Sequence, residues 1–271
     1  MKRQYNRWPT MLLLVLATLI GSCEKEDYTL PVEFVLDFTI KNETILDTTI
    51  SIDEISLELN TIDIRGYREQ ADDVFLTRDF EQGKSFLIRA GSTNIKEKLD
   101  IPQGIYKPLA FSFIFKPDTE ENDLIEDIVE WHENLENGDA PEDLKEELGD
   151  IIESYLSDIS PCIVMKGKFT YNNHTKNLLL VINDPLNYQI HGENKTGGSE
   201  VTLNKNFVNT GNLRFNPAYW FSAVTAAMLN DAFIGVIDGK EYIFLSKHVN
   251  SRIYETIFNR MEESTTLAIN E

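Results

Sequence analysis

Cysteine is nearly absent: Cys23 and Cys162 are the two in 271 residues, so a disulfide framework is excluded. Histidine is scarce too, and no two of His132, His174, His191 and His248 stand at metal-ligand spacing. His132-Glu133 opens like a zinc-binding helix, but Asn134-Leu135-Glu136 follows where a second histidine would be needed. No nucleophile elbow and no phosphate-binding glycine loop occurs, so no catalytic residue, metal ligand or cofactor is expected. Basic residues are in deficit, 25 Lys and Arg against 45 Asp and Glu, which gives a formal charge of -20. A polyanion of this size is repelled by nucleic acid and by anionic head groups, so neither is an expected partner.

Long apolar runs are missing too, with one exception near the start. Met11 to Ile20 is a ten-residue apolar stretch preceded by Lys2, Arg3 and Arg7. A bilayer core needs roughly 20 residues, so the stretch is too short to span it and reads as a signal peptide. Ile20-Gly21-Ser22-Cys23 follows: an aliphatic residue and two small ones before a cysteine. This resembles a bacterial lipobox, which implies cleavage between Ser22 and Cys23 and lipid on the Cys23 thiol. Each buried CH₂ contributes about 0.8 kcal/mol, so two or three acyl chains anchor a protein stably. Loss of the leader's three bases would carry the charge to about -23. Glu24-Lys25-Glu26-Asp27 comes next, and an acidic tetrad there resembles the surface-export signal of Bacteroidota lipoproteins. The expected location is therefore the outer membrane, lipid-anchored at the cell surface, with its periplasmic face as the alternative.

The rest of the chain alternates. Val32, Phe34, Leu36, Phe38 and Ile40 share one side of a β-strand. Ile50 and Ile52 are followed out of phase by Ile55, Leu57 and Leu59, which places a bulge or break at Asp53-Glu54. Further strands are expected at 86–88, 105–115, 163–171, 178–182, 201–207 and 242–245, with a turn at Pro102-Gln103-Gly104 and a hairpin-like turn at Thr196-Gly197-Gly198-Ser199. Cys162 leads the alternating run Cys162-Ile163-Val164-Met165 and reads as a buried hydrophobe.

One segment changes period. Residues 118–158 hold seventeen acids and the single base Lys145, with apolar residues stepping by three and four. Two helices separated by Asn137-Gly138 and Pro141 are expected there, an acidic hairpin inserted between strands. The stripe Leu124, Ile128, Trp131, Leu148, Ile152 and Tyr155 is too apolar for water and must pack on the sheet or on a partner. The outer acidic face would suit a basic or cation-rich partner. Asn216-Pro217 and Asn250-Ser251 each open a further helix. Tyr219-Trp220-Phe221 holds a candidate sugar-stacking pair, Tyr219 and Trp220, against the alternative of core packing, because consecutive helical residues point about 100° apart.

Leu99-Asp100-Ile101-Pro102-Gln103-Gly104-Ile105-Tyr106, running into an alternating strand, resembles the proline-glycine-tyrosine strand opening of uncharacterised Bacteroidota lipoprotein β-sandwich domains. The likeness covers about residues 30–116 and implies no catalytic residue. The expected fold is α+β: a mainly antiparallel β-sandwich with an inserted acidic helical hairpin and C-terminal helices. The expected organisation is 1–22 signal peptide, 23–31 lipidated tether, 32–190 sandwich domain with its insert at 118–158, and 191–271 a C-terminal α+β region that could form a second small domain. The expected function is that of a non-enzymatic envelope lipoprotein acting in binding, with an envelope protein or glycan as partner. The alternatives are a glycan-binding accessory lipoprotein of a nutrient-uptake system, which an exposed aromatic pair in a groove would favour, and then a hydrolase.

Overall fold

The computed structural model describes residues 28–41, 43–91, 96–117, 122–157 and 159–270. Cys23, its cleavage site and the acidic tetrad lie outside these residues. The strands are β1 (Pro31–Ile40), β2 (Ile50–Arg68), β3 (Val74–Arg89), β4 (Lys96–Pro102), β5 (Gly104–Phe115), β6 (Ile163–Tyr171), β7 (His174–Ile182), β8 (Leu186–Glu193), β9 (Val201–Leu203), β10 (Asn209–Phe215), β11 (Ile234–Ile237), β12 (Lys240–Leu245) and β13 (Thr266–Asn270). The helices are α1 (Asn122–Asn137), α2 (Pro141–Ser157), α3 (Pro217–Trp220), α4 (Ala226–Asn230) and α5 (Ser251–Ser264). The class is α+β with a sheet-rich core.

Among the described residues the strands form one sheet in the order β11-β12-β7-β6-β2-β5-β8-β13-β10-β1-β4, with β3 beside β2 and β9 beside β5. Most ladders are antiparallel, but β1·β10, β7·β12 and β8·β13 are parallel, so the sheet is mixed. Each parallel pair joins a strand to one far along the chain, since parallel neighbours need a long crossover. Strands of residues 191–271 thereby enter the same sheet, and Leu213, Trp220, Ile257 and Leu267 share one core with Phe34, Ile62 and Phe113.

β2 is the spine. Its register slips between Ile52 and Glu54 against β6, at the position where the apolar phase flips in the sequence. A second slip falls between Leu59 and Thr61. At that point Phe115 of β5 sits opposite Leu59, while Ile163 of β6 sits opposite Leu57. Cys162 O accepts from Glu58 N between them. So β5 and β6 lie end to end along one edge of β2, and α1 and α2 are looped out from the gap.

The hairpin packs on its own protein. Leu124, Ile128, Trp131, Leu148, Ile152 and Tyr155 are all buried, and with Leu179, Val181, Phe244 and Val249 they make a second apolar cluster. Trp131 Nε1 donates to Leu144 O across the two helices at 2.9 Å. In β7, Leu178, Leu180 and Ile182 point into the main core while Leu179 and Val181 point under the hairpin. That is why Leu178–Ile182 is an unbroken apolar run, as expected of a strand covered on both faces. Of the hairpin's other apolar residues, Ile125, Val129 and Leu156 face outward.

Several local expectations change. Strand β9 ends at Leu203, because Asn204 O and its side chain turn the chain by accepting from Phe207 N and Asn206 N. The Gly197 turn does not make a hairpin: β8 and β9 both run antiparallel to β5, so the loop resumes the original direction. The helix expected after Asn216 is two short ones, α3 and α4; Asn216 does cap α3, accepting from Tyr219 N. Asn250 precedes α5 in the left-handed region (φ +54°), but its amide serves elsewhere, donating to Phe233 O and Phe244 O and accepting from Phe233 N.

Candidate functional site

Alternation sets the inner side chains of β2, β5 and β8 and leaves an opposite row open. Ile62, Ile64 and Gly66 point inward, so Asp63, Arg65 and Tyr67 point out. On β8, Leu186, Tyr188 and Ile190 go in while Asn187, Gln189 and His191 go out. Ladder register then lines up Arg65, Ala110 and His191 in one cross-strand row, and Asp63, Ser112 and Gln189 in the next. The middle residue of each row is small. Long polar side chains on both sides of a short one make a depression, here about 250 Å³, with Pro108 at one end.

Some of its polar groups are engaged. Asp63 accepts from Thr77 Oγ1 at 2.6 Å, and Ser112 Oγ donates to Asn187 Oδ1 at 2.6 Å. The Arg65 guanidinium and the Tyr67 hydroxyl make no hydrogen bond or ion pair among the described residues. Phe75, opposite Arg65 on β3, extends the rim: it is 64% exposed and meets Tyr67 edge to face, with centroids 6.3 Å apart. The groove thus combines unspent donors with two solvent-facing rings.

The corner beside it is structural. Arg68 Nη1 donates to Tyr28 O at 2.7 Å and Gln103 O at 2.9 Å, and its Nε donates to Asp72 O. Its guanidinium lies 5.7 Å from the centre of the buried Tyr106 ring, whose hydroxyl donates to Pro102 O. Gly104 has φ +153°, and a Cβ there would come within 2.9 Å of Arg68 Cδ. Pro102, Gly104 and Tyr106 are thereby explained as the parts of one clamp. Burial pushes the Tyr106 phenol up to about 12, against the lowering influence of Arg68.

The stacking pair expected at Tyr219 and Trp220 is not available as a pair. Trp220 is fully buried, with Nε1 donating to Ser264 Oγ at 2.9 Å, and Phe221 is buried beside it. Tyr219 alone is exposed, its hydroxyl 3.2 Å from Glu263. The physical reason is the helical step between neighbours, which sends adjacent residues to different sides. Among the histidines, His132 contacts His248 O at 3.1 Å, His174 is exposed at the start of β7, and His191 lines the groove. Cys162 is buried, and burial, reinforced by the charge of Asp184, raises its thiol to about 12. No group of three His, Cys, Asp or Glu side chains that could hold a metal ion is found among the described residues. The groove residues were not singled out from the sequence. The available signal was the polar phase of two strands, Asp63-x-Arg65-x-Tyr67 and Asn187-x-Gln189-x-His191, flanking the small residues Ala110 and Ser112. No family model, curated protein or solved structure matches the chain.

Proposed function

We propose that this chain is a lipid-anchored envelope protein, held through Cys23 at the outer membrane surface, that binds a glycan across the open face of β2, β5 and β8. The observation that carries the reading is the exposed pair Tyr67 and Phe75 beside the free Arg65 guanidinium. Aromatic faces take the CH side of a sugar ring, and planar donors take its hydroxyls or a carboxylate. A shallow groove on an exposed sheet face suits a chain better than a single small molecule. In this reading the two halves of the sheet are the layers of a sandwich, with the acidic hairpin covering the outside of one of them. The role is binding: the groove's own carboxylate, Asp63, is already engaged by Thr77, and a two-carboxylate hydrolase needs a second acid across the sugar.

The test is a titration of the full chain with a panel of neutral and uronate-containing polysaccharides, by calorimetry. At least one should bind, and Arg65→Ala and Tyr67→Ala should each weaken it about tenfold or more, a loss of roughly 1.4 kcal/mol. Tyr219→Ala should leave binding unchanged. Binding that survives both groove substitutions would remove the groove from the proposal.

A further inference from the structure

Close to the first described residues the surface carries uncovered apolar side chains. Leu30, Phe207 and Val208 are 48%, 57% and 77% exposed. Phe207 and Val208 line one shallow hollow with Pro31 and Val32, the residues of β1 that follow Leu30, and Asn209 beside them pairs with Phe34 and donates to Glu33 O at 3.3 Å. The loop is not loosely held. Asn209 is 2% exposed, and its amide also donates to Asn204 O and Phe207 O while its oxygen accepts from Asn204 N. Leu30 is fixed as well, its carbonyl accepting from Gln103 N while Arg68 holds Tyr28 O. Rigid backbone therefore presents these side chains to solvent. Lys205 stands on the rim of the shallow hollow beside them and makes no ion pair among the described residues.

We infer that Leu30, Phe207 and Val208 are a membrane-contact patch, inserted into the surface of the bilayer that holds the lipid on Cys23. The inference rests on the anchor in the proposed function and adds an orientation to it. Only four residues lie between Cys23 and Tyr28, which makes about five Cα steps and a reach of at most roughly 18 Å at ~3.6 Å per step. This end must then stay near the head groups, and the apolar residues at this end are the ones that would meet them. The tether supplies the high local concentration, so the patch needs little affinity of its own. Lys205 is placed to snorkel toward lipid phosphate while Phe207 and Val208 bury. The remaining acidic surface gains from being held away from the membrane.

The experiment uses the lipid-bearing protein carrying Phe207→Trp, reconstituted in phosphatidylcholine vesicles with brominated acyl chains. Trp131 and Trp220 are buried in the fold and are subtracted with wild-type protein. The added emission should be blue-shifted and quenched at least twofold, and Phe207→Asp with Val208→Asp should increase protease access to this end of the reconstituted protein. An added tryptophan that stays unquenched in protein shown by mass to carry lipid would overturn the patch and leave the anchor standing. Protein found without lipid on Cys23 would overturn the anchor, and the patch with it. Lipid-free protein that dimerises until Phe207→Asp separates it would assign the patch to a second copy and likewise overturn the inference.

Discussion

Gly149→Ala asks whether the acidic hairpin is built into the protein or merely rests on it. Gly149 lies in the middle of α2, where alanine would ordinarily stabilise a helix by about 1 kcal/mol. Here the opposite is expected. A Cβ on Gly149 would fall 2.1 Å from Val236 O and 2.9 Å from Val236 C, backbone atoms of β11 that have no rotamer to turn away. The facing residue is Gly235, itself close to the backbone of Leu148 and Gly149, so neither side can yield. Helix and strand must separate by about an ångström, loosening Ile152, Leu148 and Tyr155 from the sheet. Overpacking of this kind costs ~1–3 kcal/mol, and a backbone clash belongs near the top of that range. After the helix gain is set against it, a net loss of about 2 kcal/mol remains. For a protein of this size that is roughly 4–8 °C in Tm. Thermal unfolding followed by circular dichroism measures it, with exposed Glu153→Ala as a control expected within about 0.5 kcal/mol of wild type. Hydrogen exchange should show the loss spread through β11, β12 and β7. A higher Tm for Gly149→Ala would refute the close crossing, and protection lost from 122–157 alone would refute the coupling to the sheet.

Replacing residues 116–162 by a short Gly/Ser linker joins strands already end to end on β2. The deletion should still unfold cooperatively, at lower Tm, and should bind a hydrophobic dye through the uncovered Leu179, Val181 and Phe244; a dye-silent deletion would contradict the packing. Alkaline pH should destabilise the fold. Burial raises Tyr106 from 10.0 and Cys162 from 9.0, each to about 12, and raises Tyr188 as well. The folded state therefore keeps protons that the unfolded chain releases. Stability from these groups is complete below about pH 9 and is lost as pH rises toward 12. Urea midpoints that stay level between pH 9 and 11 would refute this. Cys23→Ala should move the protein into the aqueous phase of a detergent extraction, whereas retention in the detergent phase without lipid would point to a membrane-spanning leader.

The elements most legible in the sequence were those whose signal is local. Alternation gave β1, the inner face of β5 and the slip at Asp53-Glu54, because side-chain direction in a strand follows from parity alone. Steps of three and four gave the helical hairpin and all six residues of its buried stripe. A further local signal is Asp238-Gly239, both at positive φ, which closes the β11–β12 hairpin. β11, four residues long, is too short for periodicity to show it.

By itself, then, the sequence determined the strand faces, the hairpin and its buried side, since each depends on residues within a few positions of one another. The parallel pairings β1·β10, β7·β12 and β8·β13 depend on partners far apart in the chain, and no local pattern encodes which strand lies beside which. The same holds for the groove. Asp63, Arg65 and Tyr67 read as an ordinary solvated strand face until register sets Ala110 and Ser112 between them and the row on β8. Trp220 shows the converse: its neighbours Tyr219 and Phe221 suggest a platform, and only packing against Phe215 and Ser264 turns it into core. Whether an aromatic ring faces water or the interior is decided by what the rest of the chain places over it.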